Sequence, residues 1–270
     1  MEHGGLSSAH LTFALPEEVR FLEGRGWLRR TGLRLVWRAR GERDFADFLG
    51  VLKSRRRKQI RREREAVAKA GVEIRELAGA ALAPEHMEAF HRLYLATVDR
   101  RFGAPWLHLR TFRLLREVLG ERLLLIAAFA KARMVAAALY VRGRDVLWGR
   151  LWGAAHDAPE LLHFELCYYR GIELCLREGI PAMDAGIQGA QSKVPRGFAP
   201  EIHESAHLIR HPGLREAVAR FLARERRQVE EARSELLAAL PYAERGSRAD
   251  AASSATTTPE ATSRSISGSS

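Results

Sequence analysis

The residues best placed to do chemistry lie between Val146 and Pro200, where aromatic side chains, glycine turns and cations alternate. Glu165 is set among Leu161, Tyr168, Tyr169 and Ile172 in a run with helical spacing. A carboxylate in such surroundings is either tied to a partner or a candidate proton acceptor. Asp184, beside Met183 on the next strand-like run, is a second candidate, and His163 is a third. At about 100° per residue, His163, Arg170 and Arg177 share one polar stripe, which favours a surface role for the histidine. Lys193 and Arg196 stand in a loop punctuated by Gly186, Gly189, Pro195 and Gly197 and preceded by Gln188. Glycines let a backbone approach a phosphate and the cations supply charge, so Gln188, Gly189, Lys193 and Arg196 form a candidate anion site, with an ordinary long turn as the plain alternative.

A second basic stretch lies earlier. From Lys53 to Arg64 eight of the twelve residues are Lys or Arg. Ser54 reads as a helix N-cap, which puts Arg55, Arg56, Arg57 and Lys58 in the first turn. Cations there oppose the helix dipole unless an anion is bound. A solvated basic face is the alternative.

These residues need elements to hold them. Ala9 to Phe13 and Thr31 to Arg38 read as strands around a helix from Pro16 to Glu23, and Asp44 caps a short helix beginning at Phe45. Val72 to Leu77 is strand-like, Pro84 to Arg100 and Leu109 to Leu119 are helical, and strands follow at Leu123 to Phe129, Met134 to Val141 and Val146 to Trp152. One helix is expected from Glu160 to Arg177, closed by Gly179. Strands at Ala182 to Ile187 and Ile202 to Ile209 and a long helix from Pro212 to Leu240 complete an α/β (α+β) layer fold, an antiparallel meander with helices on its faces.

With 270 residues, 46% hydrophobic and a formal charge of +11, the chain can bury a large core and favours polyanionic partners. No apolar run reaches the ~18 residues of a membrane span and the N-terminus lacks a signal-peptide pattern, so the cytoplasm is the expected compartment. Cys167 and Cys175 lie too far apart on one helix to form a disulfide and read as small core residues. His203 and His207, i and i+4 in a strand, are too far apart to share an ion. No metal site is expected. Trp148, Trp152, Tyr168 and Tyr169 read as core rather than as a substrate platform.

The strings SRRRKQIRREREAVAKAGVEI (54–74), LWGRLWG (147–153) and LHFELCYYRGIELCLREGI (162–180), with the run QG…K…RGF (188–198), resemble FemAB-like proteins of peptidoglycan biosynthesis or recognition, within the GNAT acyltransferase superfamily. The resemblance implies a mixed, mostly antiparallel GNAT-like sheet with helices on both faces and a long C-terminal helix. It implies transfer of an acyl or aminoacyl group to an amine, with a peptidoglycan precursor as a candidate acceptor. No cofactor is expected to be tightly bound; the donor would be aminoacyl-tRNA or an acyl-CoA. Residues 153–161 lack the glycine-rich pyrophosphate loop of GNAT enzymes, which points away from acetyl-CoA. On this basis residues 1–40 are expected to be the remnant of a first GNAT-like domain, residues 41–71 a basic helical segment, residues 72–245 the acyltransferase domain and residues 246–270 a disordered tail. An acetyl-CoA-dependent N-acetyltransferase and a non-catalytic nucleic-acid-binding or recognition protein are the competing readings. Oligomeric state is not legible.

Overall fold

A computed structural model describes residues 5–101 and 103–243. The expected tail, residues 246–270, lies outside the described residues. The elements in chain order are β1 (Ser8–Ala14), α1 (Pro16–Glu23), β2 (Leu28–Arg38), α2 (Phe45–Gly50), α3 (Ser54–Lys69), β3 (Glu73–Ala78), α4 (Pro84–Arg101) and α5 (Leu109–Leu119). Then come β4 (Leu123–Ala130), β5 (Arg133–Arg142), β6 (Val146–Ala154), α6 (Leu162–Phe164), a π-helical turn (Glu165–Tyr169), α7 (Arg170–Glu178), β7 (Ala182–Asp184), α8 (Ala190–Lys193), β8 (Ala199–Ile209) and α9 (Pro212–Ala238).

Among the described residues eight strands join one sheet in the order β1-β8-β2-β7-β6-β5-β4-β3, and only β6 and β7 run parallel. β4 shows why both faces need helices. Its residues are apolar without a break, so Leu123, Leu125, Ala127 and Phe129 enter one core with Met87, Phe90 and Phe112 of α4 and α5. Leu124, Ile126 and Ala128 enter the other, with Ile60 of α3 and with Leu166 and Ile172 of the central helix that α6, the π turn and α7 form together over residues 162–178.

The sheet joins the earliest strands to the latest ones. β1 pairs with β8, and β2 pairs with both β7 and β8, so both early strands are built into the same sheet as the later elements. A boundary at residue 40 would cut hydrogen-bonded strands. Ser54 is the first residue of α3 rather than its cap; Lys53 stands at the N-cap and supplies no side-chain bond. Asp44 does cap α2, accepting the Asp47 N–H at 2.8 Å. The predicted single helix over 160–177 is interrupted by the π turn, and Gly179 ends it in the left-handed conformation (φ 70°). The predicted strand over 182–187 stops at Asp184, and the loop that follows contains α8.

α4 lies hard against β6 because Gly153 has no side chain. A Cβ there would stand 2.7 Å from the Leu93 carbonyl carbon and the Tyr94 nitrogen, both backbone. Gly153→Ala should therefore cost about 1–3 kcal/mol through overpacking. A thermal melt unchanged from the parent protein would disprove this account of the helix–strand contact.

Candidate active site

β6 and β7 pair only over Val146–Trp148 and Ala182–Asp184. β6 then continues to Ala154 while β7 ends, so a gap opens between them. A bulge in β6 leaves Arg150 without a register partner on β5. The gap is a cleft of about 610 Å³, walled by Gly149–Trp152 of β6, by His163, Cys167 and Tyr168 of the central helix, and by Ala185, Gln188, Gly189, Ser192 and Lys193 after β7. The π turn adds a residue to this stretch of helix, and such turns recur at functional sites.

The structure separates the residues that the sequence singles out for chemistry. His163 is in the cleft, its ring edge-on to Trp152 and Tyr168 with centroids 5.2 Å from each. It is not the surface residue expected. Glu165 is 3% exposed and outside the cleft lining. Its Oε1 accepts from Arg64 Nη2 at 3.0 Å and Arg170 Nε at 2.9 Å, and its Oε2 accepts from Arg64 Nε at 3.1 Å. Both oxygens are engaged by guanidinium groups, so Glu165 fastens α3 to the π turn and is not placed to take a substrate proton. Asp184 is also outside the lining: its Oδ1 accepts the Gly186 N–H at 2.7 Å and its Oδ2 lies 3.5 Å from Arg34. It shapes the turn that follows β7.

The loop cations are not exposed. Arg196 is 4% exposed and donates from Nη2 to both oxygens of Glu63 at 2.8 and 2.9 Å, from Nε to the Tyr169 hydroxyl at 2.7 Å and from Nη1 to the Ser192 carbonyl at 2.6 Å. Its guanidinium carbon sits 3.5 Å from the Phe164 ring centroid. The Tyr169 hydroxyl donates in turn to Glu63. Arg196 is therefore a buried structural cation and not the anion ligand expected of it. Lys193 is also buried, with Nζ donating to the carbonyls of Ala185 and Gln188, but it does line the cleft. Burial lowers its pKa from the ordinary lysine value, with Cys167 and Asp184 acting weakly against the shift.

Glu63 and Arg64 are adjacent on α3 and bind opposite ends of the π turn, Tyr169 and Glu165. Arg64 also reaches Glu173 at 2.7 Å. This clamp holds the cleft-facing residues in place. Of the α3 cations, Arg55 and Lys58 border a separate cavity, whereas Arg56 donates to Gln59 at 2.9 Å and Arg57 to the Gly50 carbonyl at 3.4 Å. The α3 cations and the loop of Lys193 thus border different cavities.

The sequence pattern places Cys167, Tyr168 and Trp152 in the core, but all three line the cleft. The signal for Cys167 is its i, i+4 spacing from His163. Cys175 is buried, and burial pushes its thiol up to about 12.

Among the described residues no helix is long and apolar enough to cross a membrane. No curated protein matches the chain in sequence. Among solved structures, the chain is similar to the C-terminal DUF2156 domain of an Agrobacterium fabrum protein described as a putative lysylphosphatidylglycerol synthetase. The TM-score is 0.57 at 12% identity, covering 80% of this chain and 72% of that one. FemX gives 0.54 at 10%, covering 81% and 76%. The L-PGS of Bacillus licheniformis gives 0.52 at 11%, covering 77% and 70%. At these identities the likenesses establish the fold. The profile of the FemAB-like family, peptidoglycan biosynthesis/recognition, matches residues 1–244. The chain therefore belongs to the FemAB-like family of peptidoglycan biosynthesis/recognition.

Proposed function

We propose that the cleft between β6 and β7 transfers an aminoacyl group from aminoacyl-tRNA to an amine, with a peptidoglycan precursor as the acceptor class. The observation that carries this reading is the cleft itself, where His163 and a buried Lys193 face the gap left by the parted strands. In the reaction the acceptor nitrogen attacks the carbonyl carbon of the donor ester. The C–N bond forms, the C–O bond breaks, and the leaving oxygen ends as a hydroxyl. His163 is the cleft group suited to take the ammonium proton as the bond forms. Two of the three N–H donors of Lys193 hold the Ala185 and Gln188 carbonyls, and the third is available to the developing oxyanion or the leaving oxygen. The backbone at the Arg150 bulge, freed from pairing with β5, is a second source of donors to the oxyanion. Gln188 and Gly189 border the same space and bring backbone close to the donor. The cytoplasm, where aminoacyl esters of tRNA are made, is the compartment this reading requires.

Calorimetric titration separates the donors. Charged tRNA should bind and acetyl-CoA should not; tight acetyl-CoA binding with none of tRNA would transfer the reading to an N-acetyltransferase. The cleft also predicts selective alkylation. Iodoacetamide should label the half-buried Cys167, spare the buried Cys175 and abolish transfer, with bound donor protecting against labelling. Full turnover after stoichiometric labelling of Cys167 would remove the cleft from the reaction.

A further inference from the structure

Behind the central helix lies another cavity, of about 400 Å³, lined by Arg55, Lys58, Gln59, Arg62, Glu63 and Leu161. The five α3 residues recur at i, i+3, i+4, i+7 and i+8, so they form one stripe along that helix. α3 binds the central helix through Glu165 and Tyr169, whereas His163 and Cys167 face the cleft, so this cavity is separate from the cleft.

Its charge is unbalanced. Arg55, Lys58 and Arg62 form no ion pair among the described residues. Glu63, the one carboxylate in the lining, is buried and already neutralised by Arg196. The first turn of α3 carries no acidic residue and Lys53 supplies no cap, so the positive end of the helix dipole adds to the same field. Three cations on one stripe repel one another, and an anion between them removes that repulsion. The cavity is open to solvent, its three cations are exposed, and its volume suits a compact anionic group.

We propose that this cavity binds a compact phosphate group, a phosphate monoester or diphosphate, on Arg55, Lys58 and Arg62. Gln59, also in the lining, donates to Glu63 at 2.8 Å, and Glu63 holds Arg196 and Tyr169. The occupant therefore lies one hydrogen-bonded link from the loop that carries Lys193. The link to turnover deepens the transferase reading and rests on it; binding of the anion does not.

The test is calorimetric titration of the full chain with sodium pyrophosphate at low salt. Binding should weaken roughly tenfold or more in the triple variant Arg55→Gln/Lys58→Gln/Arg62→Gln, which removes three exposed charges. Its circular dichroism and melting temperature should match the parent, and Lys193→Gln, in the cleft, should keep the parent affinity. Vesicles containing phosphatidic acid distinguish the source. If they bind and pyrophosphate displaces them, the phosphate is lipid-borne; if only pyrophosphate binds, it is soluble. No pyrophosphate binding, equal binding by the triple variant, or a loss that follows Lys193→Gln instead would overturn the site. So would an RNA hairpin that needs the three cations while pyrophosphate does not bind, since the stripe would then be a polynucleotide footprint. Failure of donor titration at the cleft alongside retained pyrophosphate binding would sink the transferase reading and leave this site standing.

Discussion

Glu63→Ala should lose about 3–5 kcal/mol of folding free energy in urea denaturation, because it strands the Arg196 guanidinium in the interior. At 4% exposure Arg196 has no recourse to water, and Glu63 is its only carboxylate partner among the described residues. The Tyr169 hydroxyl and the Ser192 carbonyl would remain, but neither carries charge. The double variant Glu63→Met/Arg196→Leu should recover most of that loss, since replacing a buried ion pair by apolar groups of similar volume is often neutral or better. Recovery of stability should not restore turnover. Arg196 fastens the segment bearing Lys193, and without it the cleft wall is free to shift. A single variant within about 1 kcal/mol of the parent would mean that the pair is hydrated, contrary to its burial.

Lys193→Met should abolish transfer and remove a pH dependence of stability. Burial lowers the folded-state pKa of Lys193 below the unfolded value near 10.5. Between the two values the unfolded chain binds more protons than the folded one, so stability rises with pH across that window. Below the folded pKa both states are protonated and the contribution is constant, at its least favourable. The parent should therefore gain stability on the alkaline side up to the ordinary lysine range, and Lys193→Met should lack that increment. Denaturant midpoints measured across the alkaline range check it. Identical slopes for the two proteins would show that Lys193 is as hydrated as a surface lysine. Lys193→Arg should not rescue transfer, because a guanidinium cannot take the place of a compact ammonium between two carbonyls.

Local features are legible in the sequence where the residues that decide them are neighbours. Asp44 caps a helix because Asp47 is three residues away, and Gly179 ends one because its own φ is positive. The site is less legible because its geometry depends on distant partners. A cation in a glycine-rich loop reads as exposed, yet Arg196 is buried by Glu63, which arrives from a helix more than a hundred residues earlier. Glu165 reads as a desolvated carboxylate until Arg64 and Arg170 are in place. β1 and β2 read as detached because no period in a strand reveals its partner: Ser8 lies opposite Ile209. The π turn leaves no mark in the pattern of apolar residues, although the His163–Cys167 spacing already puts both side chains on one face.

The pairing of β1 with β8 has a consequence for how the protein is made. Among the described residues β1 has no strand neighbour other than β8, and β2 none other than β7 and β8. A ribosome adding ~5–20 residues per second needs roughly ten seconds or more to travel from the end of β2 to β8. During that interval Leu33, Leu35 and Trp37 have no sheet to join. β1 and β2, made well before their partner strands, are thus among the last elements to fold, and during that period their apolar side chains are open to other partners.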